Sequence, residues 1–309
     1  MKKLSVREAY GDKLIDLGKK YDNLVVLEAD IGNSSKSIKF GKEFPDRYFN
    51  VGIAELDMVG IASGMSTTGL IPFVNAFSVF MATRASDAVR SLVGYMNLNV
   101  KLAGAYSGVS SAYDGATHHS LEDIAFMRAV PNMTVICVAD AIETAKAMEA
   151  AVEHEGPVYL RLCRAEVPVV FDESYEFEIG KGTVMKDGDD VTIISTGCLL
   201  SQALEAAQTL EKEGINARVV NMHTIKPIDR ELIEKCAAET GRIVTIEEHS
   251  VTGGLGSAVA ETVCQTKPVP VEIIGIEDRF TESGNYEELL EKYGLTPDTI
   301  IDRVHKLLK

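Results

Sequence analysis

Nine short apolar runs, at residues 24–27, 71–74, 100–103, 133–138, 158–162, 191–194, 217–220, 243–246 and 271–274, punctuate the chain. Most are rich in Val and Ile, as expected of strands buried on both faces of a parallel sheet, where helices cover each side. The intervals between them have helical spacing. Leu199, Ala203, Ala206 and Leu210 share one helix face, and Gly214 follows as a natural left-handed C′ residue. Asp140 is placed to cap the Ala-rich stretch 141–153, and Ser120-Leu-Glu-Asp123 has the form of a capping-box start. Strand–helix alternation at this rhythm specifies α/β architecture, doubly wound, with mainly parallel sheets.

The rhythm breaks after Pro168, where an acidic stretch (171–178) and a turn cluster (186–190) intervene. A length of 309 residues accommodates two domains at the usual ~100–200 residues each. The expected division is a first domain over 1–168, a linker over 169–189 and a smaller second domain over 190–309. Ligands of an open parallel sheet sit beyond the carboxyl ends of its strands. In the first domain those loops carry residues 30–34, 52–55, 75–77 and 106–119.

A formal charge of −15 argues against nucleic acid and against anionic membrane surfaces, because the long-range field repels polyanions. An anionic small substrate would need its own local arginines. The five cysteines are scattered, with no Cys-x-x-Cys, which reads as reduced thiols. No apolar h-region opens the chain and no stretch approaches a membrane span, so the expected location is cytoplasmic.

The most informative segment is 49–64, where an apolar strand end delivers Glu55 into a helix of Gly, Ala, Met and Ile. With Asp57 as almost the only polar neighbour, Glu55 is expected to be desolvated and to favour its protonated form. Equally open from this segment alone is an N-terminal helix carboxylate stabilised by the macrodipole. Phe77 and Phe80, three apart, suit a core pair or a wall for a planar ligand. His118 and His119 invite a metal reading, but adjacent residues rarely converge on one ion and nothing completes a site, so no metal is assigned to this chain.

Gly52-Ile-Ala-Glu55 followed by Met58-Val-Gly-Ile-Ala62 resembles the pyrimidine-domain signature of transketolases. The blocks 77–80, 84–90, 114–118, 120–125 and 128–132 extend the likeness. Residues 247–250, 253–257 and 280–284 resemble the transketolase C-terminal domain. The resemblance implies a pyrimidine-binding domain over 1–168 and a transketolase C-terminal domain over 190–309. It implies thiamine diphosphate as cofactor, with Glu55 hydrogen-bonded to the aminopyrimidine so that the C2 proton can leave. Phe77 and Phe80 match the aromatics around that ring, Phe80 being the first choice for stacking, and Asp30 matches an aspartate near the thiazolium. Arg7, Ser34 and Arg164 match substrate-phosphate contacts, and guanidinium forks grip phosphate well. Asp114 and His118 match substrate-binding residues, His118 also assisting proton transfer. One position departs from the family: Tyr106 stands where a histidine is usual, so a different or modified sugar becomes credible.

The family also needs Gly-Asp-Gly for a Mg2+ or Ca2+ that bridges the diphosphate. Here Gly11-Asp12 precedes Lys13 and Gly188-Asp189 precedes Asp190, so the motif is absent. The resemblance therefore implies a split enzyme, in which an N-terminal partner chain supplies that half and this chain pairs with itself in a heterotetramer. Gly253-Gly-Leu-Gly-Ser257 could cradle an anion or simply turn tightly, and Glu247 and His249 are expected near a subunit interface. Ketol transfer between sugar phosphates is the leading expectation. A 2-oxoacid dehydrogenase beta subunit, half of a deoxyxylulose-phosphate synthase, and a non-catalytic interaction subunit are the alternatives.

Overall fold

The computed structural model describes residues 2–309. All nine apolar runs form strands. In the first part of the chain lie β1 (Lys3–Ser5), β2 (Leu24–Glu28), β3 (Tyr48–Asn50), β4 (Ile71–Phe77), β5 (Lys101–Ala105), β6 (Thr134–Cys137), β7 (Val158–Leu162) and β8 (Glu166–Pro168). The second part adds β9 (Thr183–Lys186), β10 (Val191–Ser195), β11 (Ala217–Asn221), β12 (Thr224–Lys226), β13 (Ile243–Ser250) and β14 (Val271–Ile276). A seven-stranded sheet has the order β12-β6-β7-β5-β4-β2-β3, and a five-stranded sheet the order β14-β13-β10-β11-β9. Both are parallel except for one antiparallel edge strand each, β12 and β9. The small ribbon β1–β8 is antiparallel.

The two halves are stitched together. β12 belongs to the second part of the chain but pairs with β6, Thr224 opposite Ile136. One apolar cluster runs from Leu27, Val74 and Leu102 through to Ile194, Val220 and Leu255. No helix among the described residues is long and apolar enough to cross a membrane.

The helix Ala141–Glu153 begins as its sequence indicates, with the Asp140 carboxylate accepting from Glu143 N. Its other oxygen accepts from Val170 N and Phe171 N, so one side chain both caps a helix and ties down the chain beyond β8. The helix Leu200–Lys212 buries Ala203, Ala206 and Leu210, and Gly214 follows at φ 83°. The expected capping box at 120–123 does not form. The helix there is Asp123–Ala129, with no side-chain cap, because Asp123 is drawn inward to Arg161 and Tyr159.

The glycine cluster at 253–257 resolves in an unforeseen way. At the start of the helix Leu255–Gln265, the Glu247 carboxylate accepts from Leu255 N and Gly256 N. The chain thus supplies its own anion to that helix N-terminus, and a Cβ at Gly254 would collide with it. Glu247 and His249 are fully buried within the chain.

Burial also sets a pH signature. Glu143 is fully buried, accepts from Ala139 N, Tyr175 Oη and Asn221 Nδ2, and is pushed by desolvation up to about 7 from 4.5. Because the folded value is raised, the fold binds more protons than the unfolded chain. The resulting stability is fully present below the unfolded value and is lost as pH rises through about 7. Wild type is therefore expected to lose on the order of 3 kcal/mol relative to Glu143→Gln between pH 4.5 and 8, at ~1.4 kcal/mol per unit. Urea unfolding of both proteins across that range is the check, and a pH-independent difference would contradict it.

Candidate functional site

The carboxyl ends of the parallel strands converge, as the winding requires, and they bring most of the predicted residues to one face. Asp30 follows β2, Phe77 ends β4, Tyr106 follows β5 and Arg164 follows β7. Asp30 and Tyr106 sit at φ 58° and 60°, and Ala112 at 56°, a left-handed conformation unfavourable for residues with a Cβ. Such strain, of order 1–3 kcal/mol each, persists where surrounding structure over-determines it and clusters at functional sites.

Tyr106 is the hub of one half of this face. Its buried ring lies 4.8 Å from Phe77, with the Arg164 guanidinium 4.8 Å and the Arg7 guanidinium 5.8 Å from its centroid. Arg7 Nη1 donates to Tyr106 Oη at 3.1 Å and to the Ser34 carbonyl at 3.2 Å. Ser34 thus joins the cluster through its backbone. Arg164 Nη1 donates to Ser111 O at 2.8 Å and lies 3.4 Å from Asp114 Oδ2. Two guanidiniums and a phenol therefore share one edge of an otherwise acidic molecule.

The other half is aromatic and carboxylate. The Phe77 and Phe80 rings are 6.0 Å apart, and His118 meets both edge-on, at 5.8 and 5.2 Å. Glu55 opens the helix Glu55–Ser66, and its side chain is 6% exposed. The sequence predicts an almost wholly apolar setting for it, yet Arg84 Nη1 donates to Glu55 Oε1 at 3.0 Å. The same guanidinium lies 3.7 Å above the Phe80 ring. Arg84 follows Phe80 by four residues, one helical turn, which is the local signal that could have found it. Asp30 stands at the margin, exposed, accepting from Asn50 Nδ2 at 3.0 Å, while Asn50 Oδ1 accepts from Gly52 N. Asn50 thereby links Asp30 to the loop that presents Glu55.

The paired histidines diverge. His118 faces the aromatic wall, whereas buried His119 lies 2.6 Å from Thr281 Oγ1 through Nδ1 and 3.1 Å from Ala112 O through Nε2. Desolvation lowers the His119 pKa. Thr281 comes from the 280–284 loop of the second half and braces the 112–119 loop of the first. No local sequence signal announces a contact across 162 positions. No group of three or more His, Cys, Asp or Glu suited to a metal ion occurs among the described residues. Beside Glu55, the apolar residues Ile53 and Leu56 are 73% and 50% exposed.

Comparison with known proteins accords with this arrangement. The sequence matches the family model of the transketolase pyrimidine binding domain over residues 2–170 and that of the transketolase C-terminal domain over 180–300. It is 45% identical to the putative transketolase C-terminal section of Methanocaldococcus jannaschii, covering 98% of this chain and 96% of that one. It is 40% identical to a 6-deoxy-6-sulfo-D-fructose transketolase subunit from Clostridium sp., covering 98% and 94%. A solved structure described as a split gene transketolase, inactive beta4 tetramer, superposes with a TM-score of 0.91 at 48% identity, covering 99% of this chain and 98% of that chain. With a buried glutamate, an aromatic wall and a cationic edge on a matching fold, the chain belongs to the transketolase family and carries its pyrimidine-binding and C-terminal domains.

Proposed function

We propose that this chain is the C-terminal subunit of a split transketolase, which moves a two-carbon ketol unit between sugar phosphates together with an N-terminal partner chain. The observation that carries the reading is buried Glu55, joined through the Arg84 guanidinium to Phe80 in the Phe77–Phe80–His118 wall, at the carboxyl ends of parallel strands. A carboxyl beside aromatic faces fits the aminopyrimidine end of thiamine diphosphate, so Glu55, Phe80 and Phe77 would hold the ring, with Asp30 near the thiazolium. When bound, the cofactor supplies the carbanion chemistry of ketol transfer. Its diphosphate and a Mg2+ or Ca2+ would be held by the partner, because Gly-Asp-Gly is not in this sequence.

This chain's own residues divide the remaining work. Glu55 holds a proton at the pyrimidine side. His118 and Asp114 bind substrate hydroxyls, and His118 is placed to move a proton there. Arg7 and Arg164, flanking Tyr106, grip the terminal oxyanion of the sugar, with Ser34 helping to place Arg7. A phenol between two guanidiniums reads a tetrahedral anion as such, and the relative named for a sulfo-sugar is in keeping with a clamp not confined to phosphate. Exposed Ile53 and Leu56 beside Glu55 suit cover by another chain. The solved relative, described as an inactive beta4 tetramer, supports both self-association and the need for a different partner.

The direct test is co-expression with a transketolase-like chain that contains Gly-Asp-Gly, followed by assay with thiamine diphosphate, magnesium and xylulose 5-phosphate. Ketol transfer to an aldose acceptor is expected from the pair and not from this chain alone. Carbon dioxide release from a 2-oxoacid would replace this reading with a dehydrogenase. The Thr281–His119 brace yields a second expectation. Thr281→Val removes the hydroxyl that fixes the loop bearing His118, and kcat of the assembled enzyme should fall on the order of tenfold with KM little changed. Thr281→Ser should restore it. Equal loss in both variants would mean the hydroxyl contact has no positioning role.

A further inference from the structure

Arg84 has no place in the division of work above, yet it touches two of the three groups assigned to the cofactor's ring, Glu55 and Phe80. Its guanidinium bonds Glu55 Oε1 at 3.0 Å and lies 3.7 Å over the Phe80 face. A planar group that donates hydrogen bonds from its edge and stacks by its face presents the same two chemistries that an aminopyrimidine offers to a carboxyl and an aromatic ring. A ring that stacked on the same face of Phe80 and bonded Glu55 Oε1 would meet the guanidinium there. We propose that Arg84 occupies, in the free chain, the place the cofactor's ring takes in the working enzyme, so that ring binding must displace a guanidinium.

The placement permits such an exchange. Glu55 is fixed at the first turn of its helix and its side chain is 6% exposed, whereas Arg84 is 49% exposed. Arg84 caps the short helix Ser78–Thr83 through its backbone, and among the described residues its side chain makes no hydrogen bond other than that to Glu55. The guanidinium can therefore swing into solvent at the cost of one hydrogen bond and the Phe80 stack, and a planar ring would restore a hydrogen bond to Glu55 and a face to Phe80. Until then Arg84 keeps a buried carboxylate compensated, which an empty site would otherwise leave unpaired. The pair also holds Glu55 Oε1 as an acceptor.

The inference rests on the pyrimidine-side reading of Glu55, and the test separates the two. The assembled complex is titrated with thiamine diphosphate and magnesium in a calorimeter, as wild type, Arg84→Met and Arg84→Lys. Removal of a half-exposed ion pair and a cation–π contact should tighten binding by about tenfold in Arg84→Met. Arg84→Lys, with charge but no planar fork, should fall between. The gap between wild type and Arg84→Met should narrow as salt is raised, because screening weakens the competing ion pair. Should the Met variant fail to fold, Arg84→Gln carries the same expectation. Unchanged or weaker binding in a folded charge-free variant, with wild type binding normally, overturns the displacement alone. Failure of the wild-type complex to bind thiamine diphosphate overturns the pyrimidine-side reading, and the displacement with it.

Discussion

Glu55→Gln is expected to lower turnover of the assembled enzyme by about 10³-fold, within the range for loss of an acid–base group, while leaving the fold standing. The amide keeps the shape and still accepts from Arg84, but it cannot exchange a proton with a ring nitrogen. The structural cost is small by comparison. Glu55 opens its helix, where a carboxylate gains about 0.3–1 kcal/mol from the macrodipole. Its ion-pair partner is half exposed, and such pairs contribute about 0–1 kcal/mol. Steady-state kinetics on the complex and urea unfolding of the subunit measure the two effects separately. Wild-type turnover in the variant would remove Glu55 from the chemistry, and collapse of the fold would make its role structural.

Asp123→Asn should be the most damaging single substitution for stability, costing about 3–5 kcal/mol, the range for breaking one partner of a buried ion pair. Asp123 and Arg161 side chains are 0% and 5% exposed and meet at 2.7 Å. Arg161 also donates to Ser120 O and to Glu248 O, and Tyr159 Oη donates to Asp123. Glu248 lies on β13, so this one guanidinium ties the second half of the chain to the strand that carries it in the first. The asparagine keeps the shape and leaves the cation uncompensated. Burial alone would raise the Asp123 pKa, but Arg161, with His249 adding to it, holds it below 3.8. Its contribution is therefore present above the unfolded value and is lost as pH falls through the folded one. A shift in unfolding free energy below about 1 kcal/mol in Asp123→Asn would show that the pair is dispensable.

The fold was largely legible before any coordinate, because hydrophobic periodicity is a local property and a strand buried on both faces has little choice of composition. The nine apolar runs became nine strands, and Asp140 and Gly214 cap as their chemistry dictates. The 120–123 box misled because its last residue had a better partner. A buried guanidinium 38 positions away outweighs a local cap, and nothing in the four residues records it. The same holds for Gly253-Gly-Leu-Gly-Ser257, whose anion proved to be the chain's own Glu247, delivered by the neighbouring strand.

What the sequence determined by itself is the alternation of strands and helices, the loops at the strand ends, and the residue types that stand there: Glu55, Phe77, Phe80, Tyr106, Asp114, His118 and the two arginines 7 and 164. Tertiary structure alone decided which of these touch, that Arg84 stands between Glu55 and Phe80, that Thr281 braces His119, and that β12 crosses to the other sheet. The physical reason is separation along the chain. Propensity and periodicity act over a few residues, whereas contacts between distant side chains are fixed only when packing closes the loops between them.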